Sequence, residues 1–427
     1  MPPDSEFTRI NSFFGSFNGR EASDARNLED GEDGGERTIT TGGNYFDEKL
    51  AMDGKVRMDA EGKGSAVFPP PFGSSHASNI IVVPASGDLL CAWFSGDAEG
   101  GDGVAIVVAR LPAGSDQWTP PRVASRAKHR SAQNPVMFVN AAGDVCLLHT
   151  SQEAFMGQGT SEVRRVVSKD GGKTWGEPAS LFKTPGAFVK NHALWSADRK
   201  EILLPMYYTP DGFFAHETQY SSVQRSADGG KTWRESAPMR GTLGKLVQPT
   251  VVRLKSGRLL AFYRSRAADA IYKSHSDDDG ETWSEPKKTP LPNNNSGIQA
   301  AMLSSGAIAI VFNNLRGEYA RWPLSIALSE DEGETWGWVR DLEPDGAAGE
   351  EGGEDLREAG SMGEYSYPSL VEHPPGTIHV AYTFRRETVR YCVVPESWIK
   401  GGRGTVGLYK PGGDGGGVEG EDEDARR

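Results

Sequence analysis

Cysteine is scarce in this sequence, and the few cysteines present exclude a fold stabilised by disulfides. The 427 residues include three of them, Cys91, Cys146 and Cys392, which lie far apart, each in an apolar segment. We therefore expect buried free thiols. The eight histidines show no spacing typical of metal ligands, so neither a metal nor another cofactor is predicted.

Long apolar runs and basic clusters are also missing. No stretch of about twenty apolar residues occurs, as a membrane-spanning helix would require, and no basic patch indicates binding to nucleic acid. Residues 1–7 contain neither the positive segment nor the apolar core of a secretory signal. A soluble protein, cytoplasmic by default, is the expectation, and the oligomeric state is left open.

Negative charge is unevenly distributed along the chain. The formal net charge is −13, to which residues 1–46 contribute −5, residues 345–358 contribute −5 and residues 411–427 contribute −4. The remainder is close to neutral, so the acidic composition says little about a ligand. Both terminal pieces, 1–46 and 411–427, are predicted to be disordered, and the Gly- and Glu-rich stretch 345–364 is predicted to be a flexible acidic insert.

An eight-residue pattern, Ser-x-Asp-x-Gly-x-Thr-Trp, occurs four times and is termed the Asp box below. The copies begin at Ser168, Ser226, Ser276 and Ser329, which are 58, 50 and 53 residues apart. Such a period indicates a radial or stacked repeat. Asp and Gly permit a tight turn between antiparallel strands, and the Trp can pack beneath that turn. The boxes are therefore predicted to be structural.

The number of apolar segments that follow a turn indicates the number of repeats. Six of them begin at Gly87, Gly143, Asp198, Gly257, Gly306 and Gly376. Short β-branched and aromatic segments surround them, and no helical periodicity is present. The sequence predicts an all-β, six-bladed β-propeller over residues 47–410. The acidic insert 345–364 leads directly into Glu364 and Tyr365, and we hypothesise that it forms a flap over the binding pocket.

The Asp boxes and several further segments resemble the sialidase superfamily over about residues 66–395, most closely a sialidase-like branch. The matching segments are Ser75-His76-Ala77-Ser78, Trp93-Phe94-Ser95-Gly96, Glu99-Gly100-Gly101-Asp102, Gln133-Asn134-Pro135, Gln248-Pro249-Thr250, Asn293-Asn294-Asn295-Ser296-Gly297 and Tyr365-Ser366-Tyr367-Pro368. The resemblance implies an exo-glycosidase that hydrolyses a terminal acidic sugar, sialic acid or a related keto-deoxy sugar, from a glycan.

The substrate of such enzymes explains which residues they need. The sugar carries a carboxylate on its anomeric carbon, so a tyrosine replaces the usual carboxylate nucleophile and a glutamate accepts its proton. Three arginines bind the substrate carboxylate, and an aspartic acid protonates the leaving oxygen. By resemblance, Asp102 is the acid, with Glu99 as second choice. Tyr367 is the nucleophile, and Tyr365, two residues before it, is the alternative.

The remaining positions match only in part. Arg264 and Arg321 fit two of the three arginine positions, and Arg266 is a substitute for Arg264. At the third arginine position the chain has His76, and in place of the glutamate it has Gln248. A histidine is only partly charged at neutral pH, and a glutamine cannot accept a proton. Two of the functional groups of the sialidase superfamily are therefore replaced in this chain.

These changes leave the proton acceptor of the tyrosine open, with Glu364 or Glu217 as candidates. Asn134, Lys190 and Asn191 are further candidates, as donors of hydrogen bonds to sugar hydroxyls. Asn134 is in one of the matching segments, and Lys190 and Asn191 follow a strand predicted in the third blade.

Two other readings of the same residues remain. A polysaccharide lyase specific for uronic acids would need a base, an acid and a positive group, which His76, a tyrosine (365 or 367), and Arg264 with Arg321 would supply without any glutamate. A non-catalytic glycan-binding propeller would explain the missing arginine and glutamate. It would not explain why the other candidate residues are retained, namely Asp102, Arg264, Arg321 and Tyr367.

Overall fold

Twenty-six β-strands build six antiparallel sheets among the residues that the computed structural model describes, which are 51–212, 216–317, 320–343 and 364–402. The prediction of an all-β, six-bladed propeller is confirmed. The predicted disordered pieces 1–46 and 411–427, and residues 345–363 of the predicted insert and flap, lie outside the described residues.

Strand bounds follow the chain. Before and within the first three blades they are β1 (Arg57–Met58), β2 (Gly64–Val67), β3 (Ser74–Val82), β4 (Leu89–Gly96), β5 (Ala105–Leu111), β6 (Arg122–Ser125), β7 (Arg130–Val139), β8 (Val145–Glu153), β9 (Glu162–Ser168), β10 (Ala179–Phe182), β11 (Ala187–Val189), β12 (Leu194–Trp195), β13 (Ile202–Tyr208), β14 (Tyr220–Ser226) and β15 (Arg234–Glu235). The last three blades contain β16 (Leu246–Arg253), β17 (Leu259–Ser265), β18 (Ala270–Ser276), β19 (Lys287–Pro292), β20 (Gln299–Met302), β21 (Ile308–Asn313), β22 (Leu324–Ser329), β23 (Trp338–Glu343), β24 (Tyr365–Glu372), β25 (Thr377–Phe384) and β26 (Thr388–Pro395).

Helical structure is minor in the part of the chain that the structure describes. It comprises one α-helix, α1 (Glu396–Lys400), and two 3-10 turns, Gln158–Thr160 and His216–Thr218. No helix there is long and apolar enough to cross a membrane. The three cysteines are buried and free, as predicted.

The first five blades pair their strands in chain order, as in β3-β4-β5-β6. In the third blade the first strand is interrupted at residues 190–193, so β11 and β12 both pair with β13. First strands of neighbouring blades contact one another around the axis. The six apolar segments counted in the sequence are the second strands, β4, β8, β13, β17, β21 and β25.

The last blade is completed by the beginning of the chain. Strands β24, β25 and β26 come from the C-terminal part, and β2 pairs antiparallel with β26, Gly64 opposite Val393 and Val67 opposite Arg390. Strand β1 adds a fifth strand at the edge. Two distant parts of the chain therefore share one sheet, which closes the ring.

Apolar packing occurs at the junctions between blades. Among the described residues, six large clusters of buried side chains lie one at each junction of neighbouring blades, and a seventh consists of Phe188, Tyr207 and Val247. At the junction of the sixth and first blades, Tyr391 of β26 contacts Trp118 edge to face, with 5.1 Å between ring centres. Successive side chains of a strand point to opposite faces, so each blade packs against both neighbours.

The four Asp boxes form the hairpins between the third and fourth strands of blades two to five. In one of them, Asp228 accepts hydrogen bonds from the hydroxyls of Ser226 and Thr232, at 2.9 and 2.6 Å, and from the amide of Thr232. The box glycine has a φ between 77° and 89° in all four copies, which glycine adopts without strain. Trp233 packs beneath its turn and donates to the carbonyl of Gly230 at 3.2 Å.

Candidate functional site

The same irregularity interrupts the first strand of four blades. Strands β3, β7, β16 and β24 each shift register at a bulge. A left-handed φ occurs at the bulge in each: Ala77 58°, Asn134 46°, Gln248 53° and Tyr367 50°. Residues other than glycine rarely adopt this conformation, and bulges commonly redirect side chains beside functional sites. The bulges therefore mark one level of the axis as the candidate site.

Tyr367 reaches from the sixth blade across to the fourth. Its hydroxyl lies 3.4 Å from Nε2 of Gln248 and accepts a hydrogen bond from the guanidinium of Arg264. The Cζ of Arg321 lies 5.3 Å from the centre of the Tyr367 ring. Burial opposes ionisation of the phenol, but Arg264 and then Arg321 outweigh burial and lower the pKa of Tyr367.

Arg264 and Gln248 hold each other in place. Nε of Arg264 donates to Oδ1 of Asn295 at 2.9 Å, and a terminal nitrogen donates to Oε1 of Gln248 at 3.2 Å. Nε2 of Gln248 lies 3.2 Å from the hydroxyl of Tyr207. Burial, and then the neighbouring Tyr367, raises the pKa of Tyr207 to about 12. Of the two phenols, Tyr367 is thus the easier to ionise.

Lys190 lies at the interruption between β11 and β12 and is 2% exposed. Its Nζ donates to the carbonyl of Pro368 at 3.3 Å and lies 5.6 Å from the centre of the Tyr367 ring. Burial, followed by the positive charge of Arg264, lowers the pKa of Lys190 to about 7. The amine is therefore partly uncharged at neutral pH.

Glu364, directly before β24, binds two arginines. Its Oε1 accepts from Arg321 at 2.7 Å and from the hydroxyl of Ser366 at 2.6 Å, and its Oε2 accepts from Arg386 at 2.8 Å. Burial opposes its ionisation, but Arg321 and then Arg386 hold the pKa of Glu364 well below its usual value. The carboxylate is ionised and engaged by three donors.

His76, in β3, lies against the ring of Tyr367, with 4.2 Å between ring centres. Its Nδ1 is 2.8 Å from the hydroxyl of Thr383 and 3.6 Å from Glu364. Burial, followed by the charge of Arg386, lowers the pKa of His76 well below its ordinary value. The imidazole is thus neutral near pH 7 and does not supply the charge of an arginine.

Asp102 and Glu99 lie on the loop between β4 and β5. The Asp102 side chain is 48% exposed, accepts a bond from the amide of His129 and lies 3.6 Å from the imidazole of that residue. Glu99 forms an ion pair with Arg386 at 2.7 Å. Because Arg386 also binds Glu364, it connects this loop to the centre of the site.

The structure separates the two tyrosines that the sequence left as alternatives. Tyr365 packs in the apolar cluster between the fifth and sixth blades, with its ring centre 5.5 Å from that of Phe384. The bulge that follows Ser366 turns Tyr367 toward the axis instead.

The other predicted binding residues lie at or near this level. Asn134 occupies the bulge of β7. Asn191 donates to the backbone carbonyls of Gln248 and Pro249, at 2.9 and 3.2 Å. Arg266 is buried and its Nε donates to Gln219 at 3.0 Å.

Two residues of the site were not predicted from the sequence. Tyr207 is in β13, and Arg386 is in the turn between β25 and β26 with a φ of 60°. The amide of Ser75 donates to the carbonyl of Arg386 at 2.7 Å, so this arginine lies beside His76, where the resemblance places an arginine. The pair Arg385-Arg386 after a strand was the available signal.

A second polar cluster lies close to Lys190. The ring nitrogens of His192 lie 2.8 Å from Nε2 of Gln299 and 3.3 Å from the hydroxyl of Ser369. Burial, and then Lys190, lowers the pKa of His192 to about 4. Within the described ranges, no three His, Cys, Asp or Glu side chains are grouped so as to hold a metal ion.

Comparison with known proteins gives a family and a fold. The family model described as BNR repeat-like domain matches residues 87–380. No curated protein matches the chain in sequence.

Solved structures with a similar fold include a Hadza microbial sialidase, Hz136, with 17% identity, a TM-score of 0.61 and coverage of 76% of this chain. The chain spans only 66% of that sialidase. The intramolecular trans-sialidase of Ruminococcus gnavus has 12% identity and a TM-score of 0.61, with 77% of this chain and 96% of that chain covered. A Dyadobacter fermentans protein of unknown function has 16% identity and a TM-score of 0.59, with 75% and 94% covered.

Proposed function

Since the chain belongs to the BNR repeat-like domain family, we propose that it is an exo-glycosidase that hydrolyses a terminal acidic sugar, sialic acid or a related keto-deoxy sugar, from a glycan. The observation that carries the proposal is the hydrogen bond from Arg264 to the hydroxyl of Tyr367, which holds a phenol of lowered pKa at the axis. A phenolic oxygen can attack an anomeric carbon whose carboxylate would repel a carboxylate nucleophile.

Arg264 and Arg321 are the groups that we assign to the carboxylate of the substrate. Their Cζ atoms lie 5.6 and 5.3 Å from the centre of the Tyr367 ring. A guanidinium group matches a carboxylate with two parallel hydrogen bonds. The ion pair with Glu364 orients Arg321 from behind.

We assign the proton donor to Asp102, because the carboxylate of Glu99 is paired with Arg386 whereas the Asp102 side chain is half exposed on the loop between β4 and β5. The oxygen of Tyr367 attacks the anomeric carbon, the glycosidic bond breaks, and the Asp102 proton passes to the departing oxygen. Water then attacks the same carbon, gives its proton to Asp102 and releases Tyr367.

An eliminating lyase is the second candidate, and one observation favours it. Two nitrogen bases of lowered pKa, His76 and Lys190, lie beside the ring of Tyr367. A neutral base is what removal of the proton next to a uronate carboxylate requires. Arg264 and Arg321 would stabilise the resulting negative charge.

The test is a screen of the purified protein on a fluorogenic sialoside, a keto-deoxy-octulosonate glycoside and uronate polysaccharides. Tyr367→Phe should abolish fluorophore release, Asp102→Asn should lower it on natural glycosides by about 10²–10⁴-fold, and Tyr365→Phe is the matched control that should remain active. Unsaturated uronate as product would establish the lyase instead. Glycan binding without turnover would leave a binding propeller and refute both enzymes.

A further inference from the structure

Tyr367 must lose its proton to act as a nucleophile, and its polar neighbours offer few acceptors. Arg264 is a donor only, and Gln248 has no basic atom. Glu364 is engaged by Arg321, Arg386 and the hydroxyl of Ser366. The remaining basic groups beside the ring are His76 and Lys190.

We propose that Lys190 is the proton acceptor of Tyr367, an inference that rests on the hydrolytic function proposed above. The Nζ of Lys190 lies 5.6 Å from the centre of the Tyr367 ring. Among the described residues, Nζ donates a single hydrogen bond, to the carbonyl of Pro368, which follows Tyr367 in the chain. No carboxylate pairs with Lys190 anywhere in the described ranges, so no anion there holds the amine in its charged form.

The groups that face Lys190 favour the uncharged amine. Arg264 of β17 lowers its pKa, after burial itself, and Lys190 in turn lowers the pKa values of His192 and His76. With a pKa of about 7, roughly half of the amine is free to accept a proton at neutral pH. A carboxylate bound to Arg264 offsets part of the charge that lowers the pKa of Lys190, so substrate binding raises that pKa and makes the free amine a stronger base toward the phenol.

The proton balance of the reaction is complete with these two residues. The Tyr367 hydroxyl has its hydrogen-bond contacts with Arg264 and Gln248, so the proton passes to Lys190 through one water, which gives up one proton as it receives another. The O–H bond of Tyr367 breaks, an N–H bond forms on Lys190, and the phenolate oxygen then attacks the anomeric carbon. When water releases the sugar in the second step, Lys190 returns its proton to the phenolate. Both residues finish in their starting states, so no co-reactant other than water is needed.

Two measurements test the assignment, and the first needs no substrate. In protein labelled with ¹³C at lysine Cε, the signal absent from Lys190→Met identifies Lys190, and its chemical shift is followed against pH. We expect a midpoint near pH 7, which moves in Tyr367→Phe because the pair no longer shares a proton. A midpoint near the ordinary lysine value of about 10.4 would overturn the assignment, whatever the activity.

The second measurement is the pH dependence of kcat/KM on the best substrate. Lys190→Met and Lys190→Arg should each lower kcat/KM by about 10²–10⁴-fold and remove a limb near pH 7, since arginine keeps the charge but cannot accept a proton. Lys273→Met, on the outer strand β18, is the control. A fully active Lys190→Arg would reduce Lys190 to a positioning charge and refute its role.

The outcomes separate the two proposals. A limb that persists in both Lys190 variants and disappears in His76→Gln assigns the proton to His76 and overturns the role of Lys190 alone. Absence of turnover on every substrate refutes the glycosidase, and with it the catalytic role of Lys190. Unfolding temperatures of the variants exclude loss of activity through misfolding.

Discussion

Gln248→Glu would place a carboxylate beside Arg264 and two phenols, and the outcome can be worked out from the contacts there. Gln248 is 1% exposed, its Oε1 accepts from Arg264 at 3.2 Å, and its Nε2 lies 3.2 Å from Tyr207 and 3.4 Å from Tyr367. All three partners can donate, since a tyrosine hydroxyl rotates. The glutamate would therefore keep every hydrogen bond.

Stability should change little. At the 3.2 Å separation from Arg264, the attraction between unit charges is about 5 kcal/mol for an effective dielectric constant of about 20. Desolvation of the carboxylate costs several kcal/mol, which largely offsets this gain. We expect the free energy of unfolding in urea to stay within about 2 kcal/mol of wild type. Gln299→Glu, a buried amide bonded to His192 and without an arginine contact among the described residues, is the matched control and should lose more.

Catalysis should change much more, because the new carboxylate is a second proton acceptor beside Tyr367. The acid limb of kcat/KM should move from near pH 7 toward the glutamate range, about 4 to 5. KM should rise, since the carboxylate competes with the substrate for Arg264. The double variant Lys190→Met/Gln248→Glu should recover turnover that Lys190→Met lacks. A double variant no more active than Lys190→Met would refute this reasoning, as would a loss of stability beyond about 4 kcal/mol in Gln248→Glu.

Three further changes have definite expected results. Hydrogen bonds, first from the hydroxyl of Thr174, hold the pKa of Asp170 below its ordinary value. The ionised carboxylate therefore adds stability above about pH 3.9, and this stability should be lost as the pH falls. In Asp170→Asn, the free energy of unfolding in urea should depend less on pH over this range. Gly186→Ala should destabilise by about 2 kcal/mol or more, because at φ 78° its Cβ would meet the Thr209 backbone at 2.5 Å, whereas Gly257→Ala, at φ 92° in open space, should cost only about 1 kcal/mol. Arg386→Met should raise the pKa of His76, measured by NMR, because it removes a positive charge that opposes protonation of the imidazole; an unchanged value would contradict the assigned cause.

The fold could be predicted from the sequence because its signals are local. An Asp box specifies its own hairpin through bonds within eight residues, as the contacts of Asp228 demonstrate. The spacing of the boxes then indicates the length of the repeat. The second strand of each blade follows a turn that is recognisable in the sequence. The closing pair of β2 and β26 has no such signal, since its partners are distant in sequence.

The site could be predicted only in part, because its properties arise from several blades together. The sequence named Tyr367 and Arg264 as candidates for one site, and the structure brings their side chains into hydrogen-bond contact. The choice between Tyr365 and Tyr367 depends on a bulge, which the sequence does not reveal. Lys190 was predicted only as a hydrogen-bond donor, because its lowered pKa results from burial and from an arginine of another blade.

The shared last blade also has a consequence for the order of events during synthesis on the ribosome. Strand β2 emerges early, but its partner, the segment from Arg390 to Val393, is among the last parts of the propeller to be translated. At roughly 5–20 residues per second, β2 spends about 15–65 s without its partner. A nascent chain therefore cannot close the ring as it leaves the exit tunnel, and chaperones meet β2 with the edge that pairs with β26 still open.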